Sequence, residues 1–333
     1  MMLKKNDIVD IVSPSTPCTF DEIQKIKNYV KKIGFTPRIF LEKETAIKKS
    51  QSHEFASIAA ETRFEQLKEA IENPHSKIIW CTRGGYGSAE ILPFLMKMKK
   101  PKKPKIFIGF SDISSLNIFL IQQWGWKVVS APMLVQLALE KVSKKSEKAI
   151  LDLVFGKNKE LKYKLDSLNG PRNECGVTRF WSYTQNNVTP HSRNNVTPHL
   201  LRGLIVGGCI SVVSAHFGTQ NQIDWNKKIL FLEDEGEDGE RLDRYFHQIA
   251  IIIKESEKKP AAILLGNFLE ANPHGAPKAK NIEIAIKKFS GKLGNIPLFI
   301  EKSKCLGHSK NMMPLVLGTD AKITADNFLV QKL

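Results

Sequence analysis

The first 133 residues alternate short apolar runs with longer amphipathic segments, and this pattern strongly limits the fold of the chain. The apolar runs predict buried strands, and the segments between them have the apolar spacing of helices. Strands joined by helices pair in parallel, and the helices cover both faces of the sheet. We therefore predict an α/β fold with an N-terminal parallel sheet flanked by helices, of the Rossmann or flavodoxin type. The predicted strands are DIVDIV, TPRIF, KIIWCT, KIFIGF and WKVVS.

The length of the chain and its sequence pattern indicate two domains. At about 150 residues per domain, 333 residues favour two. We predict that the first domain spans residues 1–140 and carries the parallel sheet. Strand-like runs return after a polar stretch, which predicts a smaller, mixed and β-rich domain at residues 200–333. Residues 141–199 are then a linker.

Part of this linker, residues 172–199, predicts an exposed inserted loop. The segment is polar and has little periodicity, and the hexapeptide NNVTPH occurs at 186–191 and again at 194–199. Two copies with a period of 8 residues match no repeat architecture. His191 and His199 could suggest a metal site, but duplicated loop residues without a function explain them more simply. We predict no metal here.

Composition and charge argue against several classes of protein. The net charge of +16 comes largely from lysines spread over the polar sides of predicted helices, with one cluster at residues 96–105, so we predict no nucleic-acid partner. No apolar run approaches the ~18 residues of a membrane span, and the N-terminus lacks a signal segment. These features predict a cytoplasmic protein with no membrane contact. The five cysteines are widely spaced and form no C-x-x-C pair, which predicts neither disulfides nor zinc.

The run KIFIGFSDISSLNIF breaks at Ser111, between a predicted strand and a predicted helix. A serine at such a turn can cap the helix by accepting hydrogen bonds from its free amides. It can also be a nucleophile held out of the sheet on a tight turn. The motif is not G-x-S-x-G, because Ile113 occupies the position of the last glycine. Taken alone, the run favours a cap, by Ser111 or Asp112, although both roles can coexist.

A second strand-to-helix turn, in CTRGGYGSAEILP, contains Gly84, Gly85 and Gly87. Free amides at a glycine turn beside a helix N-terminus can bind an anion or an oxyanion. The run matches neither the G-x-G-x-x-G fingerprint nor the P-loop. An anion site and a plain glycine turn are equally compatible with it.

Two further polar residues follow predicted strands in the second half of the chain. Glu233 is the first acid after the apolar run ILFL, and we expect most of the acids behind it to be solvated or to start the next helix. His308 lies in a polar break between two predicted strands. A serine nucleophile needs a base, and the base needs a third group that fixes its tautomer. Ser111, Glu233 and His308 could supply these roles if the fold brings them together.

Five motifs, in the same order along the chain, resemble those of the serine LD-carboxypeptidase family, the muramoyltetrapeptide carboxypeptidase-like proteins. The resemblance covers nearly the whole chain apart from residues 172–199. It implies an N-terminal parallel α/β domain and a C-terminal β-rich domain, with the site at their interface. The five motifs are IVSPSTP, TRGGYGSAEILP, GFSDISSL, LFLEDEGE…RLDR and GHSKNMMPLVLGTDAKI.

The resemblance also implies residue roles. The nucleophile motif falls on Ser111, the glutamate on Glu233 and the histidine on His308. The oxyanion-binding amides would be those of Gly85 and Asp112. The substrate contacts implied by the glycine motif are Arg83, Gly84 and Tyr86.

The activity implied by the resemblance is removal of the terminal D-alanine from a murein tetrapeptide, in cytoplasmic cell-wall recycling. The reaction passes through an acyl-enzyme and uses no metal or other cofactor, and the family members are homodimers. Three alternatives stay open. The chain could be an immunity-type peptidase acting on peptide–nucleotides of the microcin C kind, a catalytically inactive muropeptide-binding protein, or a basic nucleic-acid-binding protein.

Two departures from the family pattern concern the site. The family has His-Gly-Pro after the strand that follows the nucleophile helix, whereas this chain has Ser130, Ala131 and Pro132. This change could alter the rim of the site. The segment 172–199 precedes the motif RGLIVGG near the domain junction and could impair binding if it folds across the cleft.

Overall fold

The structure is a computed structural model, and it describes residues 3–40, 58–169, 201–269 and 279–333. The predicted insert at 172–199, with its repeated hexapeptide, lies outside the described residues.

The described residues form two sheets, and the predicted alternation of strands and helices is confirmed in the first half of the chain. The strands are β1 (Ile8–Val12), β2 (Thr36–Ile39), β3 (Ser76–Cys81), β4 (Ile106–Ile108), β5 (Val128–Ser130), β6 (Glu160–Ser167), β7 (Leu201–Cys209), β8 (Ile229–Glu235), β9 (Ala262–Leu269), β10 (Leu298–Glu301), β11 (Leu315–Leu317), β12 (Asp320–Ile323) and β13 (Phe328–Lys332).

Helices connect most of these strands. The α-helices are α1 (Phe20–Lys32), α2 (Ala60–Glu72), α3 (Leu92–Leu95), α4 (Ser114–Trp124), α5 (Leu134–Ala138), α6 (Lys144–Val154), α7 (Ile210–Ala215), α8 (Gly239–Glu255) and α9 (Ala279–Lys292), and two 3₁₀ turns span Ser88–Ile91 and Ser111–Ile113. Within the described ranges, no helix combines the length and the apolar character needed to cross a bilayer.

The first sheet has the strand order β11-β5-β4-β3-β1-β2. The pairs among β1 to β5 are parallel, and β11 is antiparallel to β5. Parallel strands covered by helices are apolar along their length, and β3 and β4 have this character. The side chains of Ile78, Ile79 and Trp80 are fully buried. The predicted N-terminal parallel α/β domain is therefore confirmed.

Helix α1 illustrates how local sequence positions these elements. Thr19 accepts a hydrogen bond from the amide of Glu22, and the Glu22 carboxylate accepts one from the amide of Thr19. This capping box fixes the start of the helix. Ile23, Ile26 and Val30 then fall on one face of the helix and are buried against the sheet.

The second sheet closes into a barrel with the order β10-β6-β13-β12-β7-β8-β9. Strands β7 to β10 pair in parallel, and the other pairs are antiparallel. Helices α8 and α9 pack against each other, and the rings of Phe246 and Phe289 stack with their centroids 4.5 Å apart. The prediction of a mixed, β-rich second domain is confirmed, and closure into a barrel is a feature that we did not predict.

The two domains are joined by more than the chain connection. Strand β6 lies in the predicted linker and pairs with both β10 and β13 of the barrel, whereas β11 belongs to the sheet of the first domain. One cluster of buried apolar side chains includes Phe110 and Ile113 from the first domain and Ile205 and Phe231 from the barrel. The boundaries at residues 140 and 199 stay a prediction, but the core runs across them.

Candidate active site

Ser111 lies on a tight turn directly after β4. The amide of Gly109 donates to the carbonyl oxygen of Val129 at 3.1 Å, which keeps the end of β4 in register with β5. The chain is still extended at Phe110, but Ser111 has φ = +63° and begins the 3₁₀ turn that leads into α4. A residue with a Cβ seldom adopts this left-handed conformation, and such strain concentrates at functional sites. The turn projects the Ser111 side chain away from the sheet.

The structure corrects the prediction that Ser111 or Asp112 caps the following helix. Neither the 3₁₀ turn nor α4 has a side-chain cap. The Asp112 carboxylate instead accepts hydrogen bonds from the amide of Ser88, at 2.8 Å, and from the hydroxyl of Ser15. Asp112 therefore ties the Ser111 turn to the glycine turn and to the loop after β1, and the Ser111 hydroxyl is left for another partner.

That partner is His308. Nε2 of His308 lies 3.0 Å from Oγ of Ser111, and Nδ1 of the same ring lies 2.6 Å from Oε2 of Glu233. Glu233 is 1% exposed and His308 is 8% exposed. The Phe110 ring packs against the imidazole with the centroids 4.7 Å apart. The structure thus brings the three residues singled out from the sequence into one hydrogen-bonded series.

The loop that carries His308 is held by its backbone. The His308 amide donates to Oε2 of Glu233 at 2.9 Å, and Nδ2 of Asn267 donates to the His308 carbonyl oxygen at 2.6 Å. Gly307 has φ = +91°, and a Cβ there would lie 2.5 Å from Oε2 of Glu233. A glycine at position 307 therefore meets two needs, a left-handed backbone and close packing against the carboxylate.

The acids of β8 point to two sides of the strand because side chains alternate along it. Glu233 and Glu235 face His308, and Oε2 of Glu235 lies 3.7 Å from Nε2 of His308. Asp234 points the other way, is 1% exposed, and accepts hydrogen bonds from Ser211 and Cys209. The expectation that most of this acid run is solvated is therefore wrong for Asp234. The expectation of a helix start holds further along, where Asp238 caps α8.

Opposing effects act on the pKa of His308. Burial lowers it, whereas attraction to the Glu233 carboxylate, the hydrogen bond to that carboxylate, and the charges of Glu235 and Asp234 raise it. The net result is a pKa above the ordinary value of 6.5 for histidine. The imidazole is thus well suited to accept a proton from Ser111 when it is neutral.

The glycine turn lies against the nucleophile. A Cβ on Gly84 would come within 3.2 Å of Oγ of Ser111, so the missing side chain leaves that face of the hydroxyl open. Gly85 has φ = +109° and packs on Thr16, whose hydroxyl oxygen accepts a hydrogen bond from the Tyr86 amide at 3.0 Å. Within the described part of the chain, the amides of Gly85 and Asp112 donate to no protein group.

Arg63, a residue that we did not single out, holds the glycine turn from behind. Its side chain is fully buried and donates to the carbonyl oxygens of Ile58, Pro14 and Gly87. It also pairs with Glu90. Burial of a charged arginine side chain costs free energy unless its N–H groups are hydrogen-bonded, and here three of their acceptors are loop carbonyl oxygens. The sequence offers no signal for these contacts because Pro14, Gly87 and Glu90 lie 24 or more residues away along the chain.

A cavity of about 600 Å³ opens beside Ser111 and His308. Of the predicted substrate contacts, Arg83 and Gly84 line it, whereas Tyr86 is 55% exposed and lies outside its walls. Arg83 also donates to Oε2 of Glu22 at 3.2 Å. The apolar part of the wall consists of Phe110, Met133, Val135, Val142 and Leu269.

Three charged residues that line this cavity were not predicted from the sequence to belong to the site. Lys141 follows α5, Lys310 follows His308, and Glu235 ends β8. For Glu235 a signal was available, since it lies two residues beyond Glu233 on the same face of a strand. Nothing in the sequence relates Lys141 to Lys310, because 168 intervening residues separate them.

The departure at positions 130–132 lies behind the cavity. Ser130 and Ala131 are buried at the end of β5, and the carbonyl oxygen of Pro132 accepts a hydrogen bond from Nε1 of Trp80 at 3.1 Å. None of the three lines the cavity, whereas Met133 does. Their influence on the rim is therefore confined to the position they give to Met133.

Two protein-family models match the chain. The LD-carboxypeptidase N-terminal domain matches residues 9–131, and the LD-carboxypeptidase C-terminal domain matches residues 202–323. A Rickettsia conorii protein that carries the name of a carboxypeptidase is 31% identical over 81% of this chain and 75% of its own length. The murein tetrapeptide carboxypeptidase of Pseudomonas aeruginosa is 28% identical over 63% of this chain and 62% of its own.

Solved structures of the same fold cover the whole chain. The muramoyltetrapeptide carboxypeptidase of Oxalobacter formigenes superposes with a TM-score of 0.74 at 22% identity, covering 98% of this chain and 99% of that one. The microcin C7 self-immunity protein, solved with aspartyl sulfamoyl adenosine, has a TM-score of 0.68 at 18% identity, covering 100% and 97%.

Proposed function

This chain belongs to the LD-carboxypeptidase family, and we propose that it is a serine peptidase that releases the terminal D-alanine from murein tetrapeptides. The observation that carries the proposal is the series from Oγ of Ser111 through the His308 ring to Glu233, with distances of 3.0 and 2.6 Å. Nucleophile, base and orienting carboxylate are the three parts that serine hydrolysis requires. The name of the Pseudomonas aeruginosa relative supports the choice of substrate.

In the first half of the reaction, Nε2 of His308 takes the proton from Ser111 while Oγ attacks the scissile carbonyl carbon. Glu233 holds the proton on Nδ1 and stabilises the imidazolium that forms. The amides of Gly85 and Asp112 bind the oxyanion, and one such donor is typically worth about 3 kcal/mol of transition-state stabilisation. The C–N bond then breaks, and the leaving nitrogen receives the proton from Nε2.

In the second half, water attacks the ester between Ser111 and the shortened peptide. His308 takes a proton from this water and returns one to Oγ of Ser111, which restores the starting state. No step needs a metal or another cofactor.

We assign this reaction to cytoplasmic recycling of the cell wall, with a homodimer as the working unit. Membership of the family supports both assignments. The substrate is a peptide, and the dispersed lysines serve as solvated surface. Light scattering coupled to size-exclusion chromatography tests the homodimer, which requires twice the chain mass of 37.6 kDa.

The experiment that tests the function uses the purified full-length chain with a murein tetrapeptide that ends in D-alanine. We expect release of free D-alanine, and no release of the terminal residue from the matching peptide that ends in L-alanine. If the D-ending peptide binds but releases no alanine, the chain is a binding protein and the proposed function is wrong.

A second candidate is hydrolysis of an aminoacyl nucleotide. It is favoured by the likeness to the microcin C7 self-immunity protein, which covers the entire chain. The same three residues would attack the carbonyl between the amino acid and the nucleotide portion. Parallel assays with a murein tetrapeptide and an aminoacyl sulfamoyl adenosine discriminate the two, since we expect a higher kcat/KM for the tetrapeptide.

A further inference from the structure

The cavity beside the proposed nucleophile carries charges of both signs at different places. Oε2 of Glu235 lies 3.7 Å from Nε2 of His308, the nitrogen that contacts Ser111. Lys141 and Lys310 line the same cavity. These three charges have no part in the proton transfers described above.

Glu235 lies near the position that a leaving amine must occupy. In acyl-enzyme formation the scissile C–N bond breaks and the nitrogen receives the proton of Nε2, so that nitrogen must lie within hydrogen-bond distance of His308. The amine departs uncharged, then takes a second proton from water and becomes an ammonium. The Glu235 side chain is 56% exposed and has no lysine or arginine within 4.0 Å among the described residues.

The two lysines are neighbours although 168 residues separate them in the chain. The Ser143 amide, two residues after Lys141, donates to the carbonyl oxygen of Lys310 at 2.8 Å, and the Ser146 hydroxyl donates to the same oxygen at 3.4 Å. These bonds fix the two backbone segments against each other. Both side chains therefore start from adjacent points at the edge of the cavity.

The lysines also differ from the third cation of the cavity. Arg83 is already paired with Glu22. Across residues 3–40, 58–169, 201–269 and 279–333, neither Lys141 nor Lys310 forms an ion pair. Two uncompensated cations in one cavity favour an anionic ligand, and a carboxylate is the anion that every carboxypeptidase substrate carries at its end.

We propose that Glu235 and the pair Lys141–Lys310 form the subsite for the departing amino acid, with Glu235 at its ammonium and the lysines at its carboxylate. The inference rests on the proposed function and deepens it, because it assigns the exopeptidase preference to named residues. A free terminal carboxylate satisfies the lysines, whereas a chain that continues past this point leaves them unpaired. The nitrogen is cationic after Nε2 has protonated it and until the C–N bond breaks, so the Glu235 carboxylate stabilises that protonated state and later the ammonium of the free amino acid.

The test measures binding of three small probes to the full-length chain by ligand-observed NMR, which needs no turnover. D-Alanine carries both charges, D-alaninamide lacks the carboxylate, and propionate lacks the ammonium. We expect D-alanine to bind at least tenfold more tightly than either analogue. In the variant Glu235→Gln, D-alanine should lose at least fivefold in affinity while propionate is unaffected.

The double variant Lys141→Gln with Lys310→Gln should give the complementary result. D-Alanine and propionate should both weaken at least fivefold, whereas D-alaninamide keeps its affinity. A merely structural effect would move all three probes together. The controls are Glu240→Gln and Lys103→Gln, which remove exposed charges that do not line the cavity.

Each outcome separates this inference from the proposed function. D-Alanine release from the tetrapeptide, combined with equal affinity for the three probes, overturns the subsite and leaves the function standing. Selective binding without any turnover supports the subsite and overturns the function. Variants that weaken all probes equally overturn the subsite.

Discussion

One oxygen of Glu233 accepts two hydrogen bonds from His308, one from the backbone amide at 2.9 Å and one from Nδ1 at 2.6 Å. The carboxylate thus fixes both the position of the loop and the orientation of the ring it carries. With Nδ1 donating to Glu233, Nε2 is free to accept the proton of Ser111.

Replacement of Glu233 by glutamine keeps the size of the side chain and removes its charge. The imidazolium that forms during the reaction loses its stabilising partner, and we expect kcat/KM to fall by about 10⁴-fold, as in other triads that lose this carboxylate charge. The measurement is D-alanine release, with Glu240→Gln on the exposed face of α8 as the matched control. A loss smaller than tenfold would show that Glu233 does not act through His308.

Replacement of Gly307 by alanine tests the close packing of the loop. The left-handed backbone costs a residue with a Cβ about 1–2 kcal/mol, and the contact with Glu233 adds about 1–3 kcal/mol. Gly218 has φ = +78° and nothing within 4 Å of its Cβ position, so Gly218→Ala carries only the first cost. Chemical denaturation should place Gly307→Ala below Gly218→Ala, and only the former should lose activity. Equal stabilities would contradict the packing argument.

The raised pKa of His308 predicts the direction in which activity changes with pH. The reaction needs the neutral ring, so kcat/KM should rise with pH through a midpoint above 6.5. Because Glu235 is one of the charges that raise this pKa, Glu235→Gln should move the midpoint to lower pH. A pH profile that is unchanged in Glu235→Gln would contradict this assignment.

The raised pKa of His308 also affects folding stability. It stabilises the folded protein below pH 6.5, and this contribution is lost as the pH rises through the folded-state pKa.

The left-handed backbone at Ser111 predicts an inverted order of stability for two inactive variants. Glycine is ordinarily less stable than alanine within a helix, but it adopts φ = +63° without strain. We expect Ser111→Gly to exceed Ser111→Ala by about 1 kcal/mol in the free energy of unfolding. Thermal or urea unfolding measures the difference, and an alanine variant that is the more stable of the two would mean that the turn is not strained.

Much of the fold was accessible from sequence because its signals are local. The strands before Ser111 and Glu233 are short apolar runs, and helices between parallel strands leave a clear periodicity. Closure of the barrel was not accessible, since β6 reaches β10 and β13 by pairings more than 130 residues apart in the chain. The same holds for β11, which joins the sheet of the first domain.

In the candidate site too, the residues with a local sequence signal were predicted, and those placed by long-range contacts were not. Ser111, Glu233 and His308 each follow an apolar run, which is a local mark, and the family motifs reinforced it. The prediction for Asp112 was wrong because an acid at the start of a helix is typical of a cap. Only the fold brings Ser15 and Ser88 to its carboxylate. Lys141 and Lys310 are brought near each other by the backbone hydrogen bond from Ser143 to Lys310, a long-range contact for which no sequence pattern exists.

The most direct test of the central claim, that Ser111 is the nucleophile, is the rate of D-alanine release from a murein tetrapeptide by Ser111→Ala compared with the unmodified chain. Loss of a nucleophile in a triad costs about 10⁶-fold in kcat, so we predict no release above background from a variant that keeps the far-ultraviolet circular dichroism of the parent. Release by Ser111→Ala within tenfold of the unmodified rate would contradict the account.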